Sequence, residues 1–240
     1  MALFIGAEAV IYLTFIILDL TDCLPGMSDI IKYSGIILCV GNSLVFCIKH
    51  RGSERFLITG ALFFTACADV FLLFTGQFLW GLFFFCITQT LYSVYTVSAK
   101  KQLRVLLIPI ILSTAVICVF FRNAYVNNGT GTLLLVAFVI YYAFTFALNT
   151  CRSWKNHKAR PSKAGLLFAI GLSLFVMCDL NVLFRNAYEM FGWQSSLPEW
   201  THSVAMFFTW VFYLPAQVLI SICENLPFLS LPAVKKQTKV

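Results

Sequence analysis

Charged residues are scarce in this chain of 240 residues. Asp, Glu, Lys and Arg make up 11% of it and hydrophobic residues 60%, whereas soluble domains contain about 25% charged residues. The mean hydropathy is +0.86, and no connection between the apolar stretches is long enough for a soluble domain. We therefore predict a single integral membrane domain over residues 1–240. The net charge of +7 does not indicate a nucleic-acid partner, because the basic residues lie in short loops.

Several patterns of catalytic and metal-binding proteins are also missing. The sequence has no C-x-x-C and no G-x-S-x-G, and its three histidines, His50, His157 and His202, lie in loops or at helix ends. A zinc hydrolase and a serine hydrolase are therefore not expected, and no metal or cofactor is predicted. Most of the nine cysteines lie within or at the ends of apolar spans, where we expect small hydrophobic side chains rather than disulfides.

Eight apolar stretches have about the 20 residues that a helix needs to cross a membrane. They are residues 2–20, 29–48, 56–75, 78–98, 103–121, 130–150, 163–186 and 203–223. The predicted fold is all-α, a polytopic bundle of eight transmembrane helices. Similar frames in its two parts predict two parallel four-helix repeats, about 1–100 and 101–223, before a basic cytoplasmic tail at 224–240.

The basic residues predict the orientation. Of the 17 Lys and Arg residues, all but Lys32, Arg122 and Arg185 lie in alternate connections or in the tail. Cytoplasmic loops carry the excess of Lys and Arg, so both termini are predicted to be cytoplasmic, which requires an even number of helices. Glu8 interrupts the first stretch, and no basic residue precedes it. This favours a retained first helix over a cleaved signal peptide.

Two aspartates lie inside predicted spans. Asp69 follows Gly60 in the third span, and Asp179 follows Gly171 in the seventh. At 1.5 Å per residue, both are roughly 20–24 Å from the cytoplasmic ends of their helices. A carboxylate at the centre of a membrane costs about 2.5–3.5 kcal/mol on insertion scales and usually marks a functional site. We expect the two carboxyls to face each other across a cavity in the bundle.

The helix after each aspartate carries polar groups at helical spacing. In the fourth and eighth spans these are Gln89, Tyr92, Ser93 and Thr96, and Trp210, Tyr213, Gln217 and Ser221. Each set shares one face of its helix, so the two faces and the aspartates predict one polar pocket. The alternative is that these side chains only join helices through hydrogen bonds.

These elements resemble the YhhN-like lysoplasmalogenase family of eight-helix membrane proteins. The resemblance spans about residues 32–220 and rests on Lys32, Gly60…Ala68-Asp69, Thr88-Gln89-Thr90-Leu91-Tyr92, Gly171…Cys178-Asp179 and Phe212-Tyr213-Leu214-Pro215-Ala216-Gln217. The chain departs from the family pattern at four positions. Gln89 replaces a histidine, Ala68 a glycine, Cys178 a serine and Tyr33 a proline.

The resemblance implies hydrolysis of the vinyl-ether bond of lysoplasmalogens, with the lysophospholipid substrate drawn from the bilayer. Such a reaction needs a general acid and a carboxylate beside a developing cation, and Asp69 and Asp179 are the expected catalytic pair, sharing one proton. Lys32 is expected to meet the phosphate head group. The remaining predicted substrate-binding residues are Gln89, Tyr92, Asn181, Tyr213 and Gln217.

Two other functions remain open. Carboxylates in the middle of the membrane and parallel repeats are also typical of proton-coupled transporters of lipids or small molecules. The glutamine at position 89 is compatible with a catalytically silent relative that binds lipid. The residues leave the head-group preference, the oligomeric state and the assignment of acid and base open.

Overall fold

The computed structural model describes residues 1–21, 24–50, 52–97, 102–120, 125–190 and 199–223. Over these ranges the chain forms helices only. They are α1 (Ala2–Thr21), α2 (Pro25–Lys49), α3 (Ser53–Val70), α4 (Phe78–Tyr95), α5 (Gln102–Phe120), α6 (Tyr125–Ala159), α7 (Lys163–Met190) and α8 (Glu199–Cys223), with a π-helical segment, Phe71–Thr75, continuing α3. Seven of them are long and apolar enough to cross a membrane. The predicted all-α membrane bundle of eight helices is confirmed.

Most predicted spans agree with the helices to within a few residues, but α6 is much longer than predicted. It runs on to Ala159, nine residues past the end predicted at 150. Tertiary contacts support this polar extension, since Trp154 Nε1 donates to Ser173 Oγ at 2.9 Å and Asn156 Nδ2 donates to the Thr96 carbonyl at 2.7 Å. The predicted ends at residues 98 and 121, and the tail at 224–240, lie outside the described residues.

The helices contact each other in corresponding pairs. The contacts of α3 with α4, α2 with α3 and α1 with α2 have counterparts in those of α7 with α8, α6 with α7 and α5 with α6. Between the halves, α2 packs on α8 and α6 packs on α4. If α1–α4 correspond to α5–α8 in order, α2 corresponds to α6 and α4 to α8, so these two contacts are equivalent. We therefore keep the two parallel repeats as a proposal, which this pairing supports.

A proline in α8 helps to fix α1 against the bundle. Pro215 lies inside α8 and has no N–H to donate to the carbonyl of Val211, four residues earlier. The Tyr12 hydroxyl of α1 donates to that carbonyl instead, at 3.2 Å. An intramembrane carbonyl that the proline leaves without its helical partner thus becomes an attachment point between the two helices.

Close packing of α7 against α8 depends on Gly171. A Cβ placed there would lie 2.8 Å from Ile220 Cγ1 and 3.1 Å from the Ala216 carbonyl. The absence of a side chain lets α8 approach the turns of α7 that lead to Asp179. Buried side chains from α1–α4 and α6–α8 form one large apolar cluster around this contact.

Candidate active site

Asp69 is the most deeply placed carboxylate of the predicted site. Its side chain comes from the last turn of α3 and the residue is 3% exposed. The Tyr213 hydroxyl of α8 lies 2.9 Å from Asp69 Oδ1 and 2.8 Å from Oδ2, and it donates to the carboxylate. The π-helical segment Phe71–Thr75 begins two residues later. Such segments occur frequently at functional sites.

Asp179 is held in a different way. Tyr142 of α6 donates its hydroxyl to Asp179 Oδ2 at 2.7 Å, and the carboxylate is only partly buried. Its neighbours on α7, Met177 and Leu180, are 45% and 52% exposed. Asp179 therefore lies beside the surface that meets the acyl chains, whereas Asp69 lies in the interior.

The two aspartates belong to one region of the bundle. The hydroxyls of Tyr213 and Tyr142 are close enough to interact electrostatically, and the buried Cys178 thiol interacts with both carboxylates. The carboxyls make no hydrogen bond to each other among the described contacts. The result is a row of polar groups, Asp69–Tyr213 and Tyr142–Asp179, with Cys178 near both ends.

Aromatic rings lie between the two Asp–Tyr pairs. The ring centroid of Phe175 is 5.3 Å from that of Tyr213 and 5.0 Å from that of Phe146. Phe146 in turn lies 5.5 Å from Tyr142. Phe175 and Phe146 therefore link the rings of Tyr213 and Tyr142 in one aromatic cluster.

Most of the predicted polar faces of α4 and α8 is buried, and only Trp210 is partly exposed. Gln89, Tyr92 and Gln217 are all 0% exposed. Asn149 of α6 donates to Gln89 Oε1 at 3.0 Å. Gln89 Nε2, Tyr92 Oη and both amide atoms of Gln217 have no hydrogen-bond partner among the described residues. These side chains have hydrogen-bond donors and acceptors left over, whereas the two aspartates already accept hydrogen bonds from Tyr213 and Tyr142.

Lys32 forms ion pairs at the end of the bundle where α2 begins. Its Nζ lies 2.9 Å from Asp19 Oδ2 and 3.7 Å from Asp29 Oδ1. The same ammonium lies 5.5 Å from the ring centroid of Trp210, and Trp210 packs on Tyr213 with the centroids 5.2 Å apart. The cation is therefore one aromatic ring away from the tyrosine that binds Asp69.

Comparison with known proteins decides the family. The sequence pattern of the YhhN family matches residues 27–222, which include both aspartates and nearly all of α2–α8. The chain belongs to the YhhN family. The resemblance noted from the motifs is thus confirmed. No curated protein and no solved structure matches the chain significantly.

The YhhN match begins after α1, yet α1 contributes to the surroundings of the site. Asp19, the closest ionic partner of Lys32, belongs to α1, as does Tyr12, which binds the α8 backbone. The structure thus combines helices of the family region with one helix outside the match.

One predicted site residue is not brought to the aspartates. The Asn181 side-chain amide donates to the Met177 carbonyl of its own helix at 2.7 Å. One amide hydrogen of Asn181 is thus used within its own helix, and no bond to either aspartate is among the described contacts, so we leave Asn181 out of the proposed site. The other predicted residues, Lys32, Gln89, Tyr92, Tyr213 and Gln217, are all largely buried in the bundle.

Two important residues were missed by sequence reasoning. Tyr142 binds Asp179, and Asn149 binds Gln89; both come from α6, which carries no motif. A signal for Tyr142 exists, because Tyr142 precedes Asp179 by 37 residues and Tyr33 precedes Asp69 by 36. Tyr33 indeed lies near enough to Asp69 to interact electrostatically.

The site contains groups suited to proton transfer. It offers two carboxyls, two tyrosine hydroxyls that hold them, and amides nearby with free capacity. Within the described part of the chain, no three His, Cys, Asp or Glu side chains are grouped as metal ligands would be. The arrangement can donate a proton at one carboxyl and accept one at the other.

Proposed function

We propose that this chain hydrolyses the vinyl-ether bond of lysoplasmalogens and releases a fatty aldehyde and a glycerophospho-alcohol. The observation that carries the proposal is the row Asp69–Tyr213 and Tyr142–Asp179 inside a membrane bundle of the YhhN family. Intramembrane carboxylates are costly and are retained for proton chemistry or transport. Two of them in one site provide an acid and a base within reach of a substrate that resides in the bilayer.

The reaction begins with proton transfer to carbon. One carboxyl, in its acid form, gives its proton to the alkenyl carbon that is not bonded to oxygen, and the double-bond electrons form the new C–H bond. The positive charge that develops on the neighbouring carbon and the ether oxygen is stabilised by the second carboxyl, in its anionic form. Water adds to that carbon and loses a proton to the anion, which gives a hemiacetal. When the C–O bond breaks, the carboxyl that took the proton from water gives it to the departing oxygen, and the hemiacetal hydroxyl loses its proton to the first carboxyl, now anionic. This yields aldehyde and alcohol and restores both carboxyls to their starting forms.

The burial of the two carboxyls suits a lipid substrate. Asp179 lies beside exposed apolar positions of α7, so an alkenyl chain can reach it from the bilayer. Asp69, withdrawn from water and held by Tyr213 through both oxygens, is a group that can hold a proton in a closed site. Both roles are needed, and the acid can be either residue.

Lys32 is the proposed contact for the phosphate of the substrate. Lys32 Nζ already forms an ion pair with Asp19 Oδ2 at 2.9 Å, so a substrate phosphate has to displace this carboxylate. Ser28, which donates to the same Asp19 oxygen that Lys32 contacts, offers a second donor to an incoming anion. Because Trp210 joins Lys32 to Tyr213, this contact places the glycerol end of the lipid on the Asp69 side.

The proposal is tested by the products of the purified protein. With a lysoplasmalogen in detergent or liposomes we expect an aldehyde and a glycerophospho-alcohol. The matched saturated alkyl-ether lysolipid, which has no double bond to protonate, is expected to remain intact. Release of fatty acid from ordinary ester lysophospholipid would indicate a different hydrolase. Absence of aldehyde, together with substrate-dependent proton flux in liposomes, would contradict the proposed hydrolysis and support a proton-coupled transporter.

One observation favours a second candidate, a lipid-binding relative without turnover. Gln89 stands where the family pattern has a histidine, and Asn149 holds its side-chain oxygen and its backbone carbonyl. In this arrangement Gln89 joins α4 to α6. Binding of lysoplasmalogen without aldehyde release would support this candidate.

A further inference from the structure

The interior of the bundle contains polar atoms that the proposed proton transfers do not use. Four side chains, Glu8, Gln89, Tyr92 and Gln217, are at most 3% exposed. Glu8 Oε2, Gln89 Nε2, Tyr92 Oη and both amide atoms of Gln217 have no hydrogen-bond partner among the described residues. We call these four side chains the polar core. A buried polar group without a partner costs about 1–3 kcal/mol, so five such atoms in one bundle require an explanation.

Contacts join Glu8 and Tyr92 of the polar core to α2 and α8, and Gln89 lies three residues before Tyr92 on the same face of α4. Cys39 of α2 donates its thiol to Glu8 Oε1 at 3.4 Å, and its carbonyl accepts from Ser221 Oγ of α8 at 3.1 Å. Ser221 lies one turn from Gln217 on the same face of α8. The Tyr92 hydroxyl interacts electrostatically with the Cys39 thiol.

The core also adjoins the aspartates at one end and the bundle surface at the other. Gln217 lies one turn from Tyr213, which binds Asp69. In the opposite direction, Asn42 donates to Ser221 Oγ at 2.8 Å, and Asn42 is partly exposed where α2 and α8 approach their ends. A polar route therefore runs along α8 from Asp69 through Gln217 and Ser221 to Asn42.

Gly35 of α2 lets α1 and α8 approach closely at this level. A Cβ at Gly35 would lie 3.1 Å from Glu8 Oε2 and 2.8 Å from Leu214 Cδ1. Glycine at this position lets the Glu8 carboxyl reach the turn of α8 that lies between Tyr213 and Gln217. The carboxyl of α1 is thus accommodated next to the polar face of α8.

The unpartnered atoms match the hydrogen bonding of water better than that of an ion. The amide nitrogens of Gln89 and Gln217 donate, Glu8 Oε2 and Gln217 Oε1 accept, and the Tyr92 hydroxyl does both. A cation requires acceptors only and an anion donors only, whereas water uses two donors and two acceptors. Buried water commonly makes about three hydrogen bonds to polar groups of this kind.

We infer that the polar core binds a file of water molecules that enters beside Asn42 and supplies the water that adds to the substrate cation in the site of Asp69 and Asp179. The inference rests on the proposed hydrolase for its role in the reaction. Lipid and water then reach the site from different directions, the alkenyl chain beside Asp179 and water along α8. Because water arrives along α8, the path that the alkenyl chain takes beside Asp179 does not have to admit water while the protonated vinyl ether carries its positive charge.

Radiolytic hydroxyl-radical footprinting of the intact protein in detergent tests the water file without requiring turnover. Tyr92 and Cys39 adjoin the polar core, and Phe175 and Cys86 are comparably buried among aromatic rings, which gives an aromatic and a thiol control. We expect Tyr92 and Cys39 to be oxidised well above Phe175 and Cys86. Equal protection of all four would overturn the inference.

A second measurement uses Gln217→Met, which keeps the length of the side chain and removes both hydrogen-bonding atoms. We expect oxidation of Tyr92 and Cys39 to fall to the level of the controls, and kcat to fall about ten-fold with KM unchanged, since misplacement of a reacting group slows chemistry. The matched control is Gln77→Met in the exposed α3–α4 connection, which should change neither. Unchanged oxidation in Gln217→Met would overturn the role of the amide.

The two proposals fail separately. If Tyr92 and Cys39 are oxidised and no aldehyde is released, the water file stands and the hydrolase does not. If aldehyde is released while both residues are as protected as their controls, the hydrolase stands and its water arrives by another route.

Discussion

Asp69 and Asp179 occupy corresponding helices, α3 and α7, but they are bound differently. Tyr213 reaches Asp69 from α8 and contacts both carboxylate oxygens, whereas Tyr142 reaches Asp179 from α6 and contacts one. Asp69 is 3% exposed, and Asp179 is partly exposed beside the lipid-facing side of α7. The two halves thus supply the same carboxyl in an interior and a peripheral setting.

In the proposed repeats, corresponding carboxyls have different surroundings. The proposed counterpart of Tyr142 in the first half is Tyr33, whose ring packs on Phe74 at 5.4 Å between centroids. It lies near Asp69, but no hydrogen bond between them is among the described contacts; the donor to Asp69 is Tyr213 from the other half. Two carboxyls with distinct surroundings are what a paired acid and base require.

The strongest test of this comparison is to neutralise each carboxyl in turn. We expect Asp69→Asn and Asp179→Asn each to lower kcat by at least about 100-fold, the scale of acid–base catalysis. Both proteins should remain folded, since removal of a buried charge lowers the cost of desolvation. Aldehyde release and thermal unfolding in detergent measure the two effects, and Glu54→Gln at the exposed start of α3 serves as the control.

The result also separates the two roles. Loss of folding with unchanged activity in the surviving fraction would make either aspartate structural. Turnover retained in one variant only would show that a single carboxyl carries the reaction, and the paired mechanism would be wrong.

The tyrosines provide the next test, with unequal effects expected. Tyr213→Phe leaves a fully buried carboxyl without its donor, and hydrogen bonds to charged groups contribute about 1.5–3 kcal/mol, so kcat should fall about 10- to 100-fold. Tyr142→Phe affects a carboxyl nearer the surface and should cost about 5-fold. Steady-state kinetics measures both.

Tyr141→Phe is the matched control, because Tyr141 neighbours Tyr142 and its hydroxyl is paired with Thr90 rather than with an aspartate. Equal losses for Tyr213→Phe and Tyr142→Phe would mean that burial does not distinguish the two sites.

Much of this architecture could be predicted because the membrane imposes strong constraints. A backbone in hydrocarbon has to be helical, so apolar length alone located α1 and α7, and the cost of a buried carboxyl singled out Asp69 and Asp179. The spacing on α8 also predicted that Tyr213 and Gln217 share a face with one another.

What could not be predicted depends on contacts between distant helices. The spacing of Tyr142 from Asp179 resembles that of Tyr33 from Asp69, but it does not indicate that only Tyr142 binds its carboxylate. The polar end of α6 reads as a loop until Asn156 is seen to bind the Thr96 carbonyl at the end of α4. Likewise, Lys32 suggested a free head-group contact, whereas Asp19 of α1 already pairs with it. Such pairings depend on three-dimensional packing rather than on local pattern.

The comparison extends to α4 and α8, the helices that follow the aspartates. Tyr213 of α8 binds a carboxyl, whereas Gln89 of α4 binds Asn149. Glutamine donates and accepts hydrogen bonds, whereas histidine also exchanges protons near neutral pH. We expect Gln89→His to raise activity several-fold, below the about 100-fold of a fully placed acid–base group, or to shift the pH optimum toward the imidazole range.

The pH–rate profile and a lipid-binding assay measure these changes, and binding should be unaffected. If the parent chain is inactive and Gln89→His gains activity, the chain is a silent relative. If the parent chain and Gln89→His are both inactive on every ether lysolipid, the proposed hydrolase function is wrong.

The smallest expected effect concerns Lys32, the cation on the Asp69 side. Asp19 competes with the substrate phosphate for Lys32, so Asp19→Asn should lower KM and Lys32→Met should raise it. Each change should be about two- to five-fold, or under about 1 kcal/mol, because the phosphate and Asp19 exchange one ionic contact for another at the same ammonium. The substrates to compare are a lysoplasmalogen and the corresponding alkenylglycerol, which has no phosphate and should show unchanged KM with both variants. Changes of the same sign in the two variants, or equal changes for both substrates, would show that the pair only joins α1 to α2, and the head group would then contact another part of the chain.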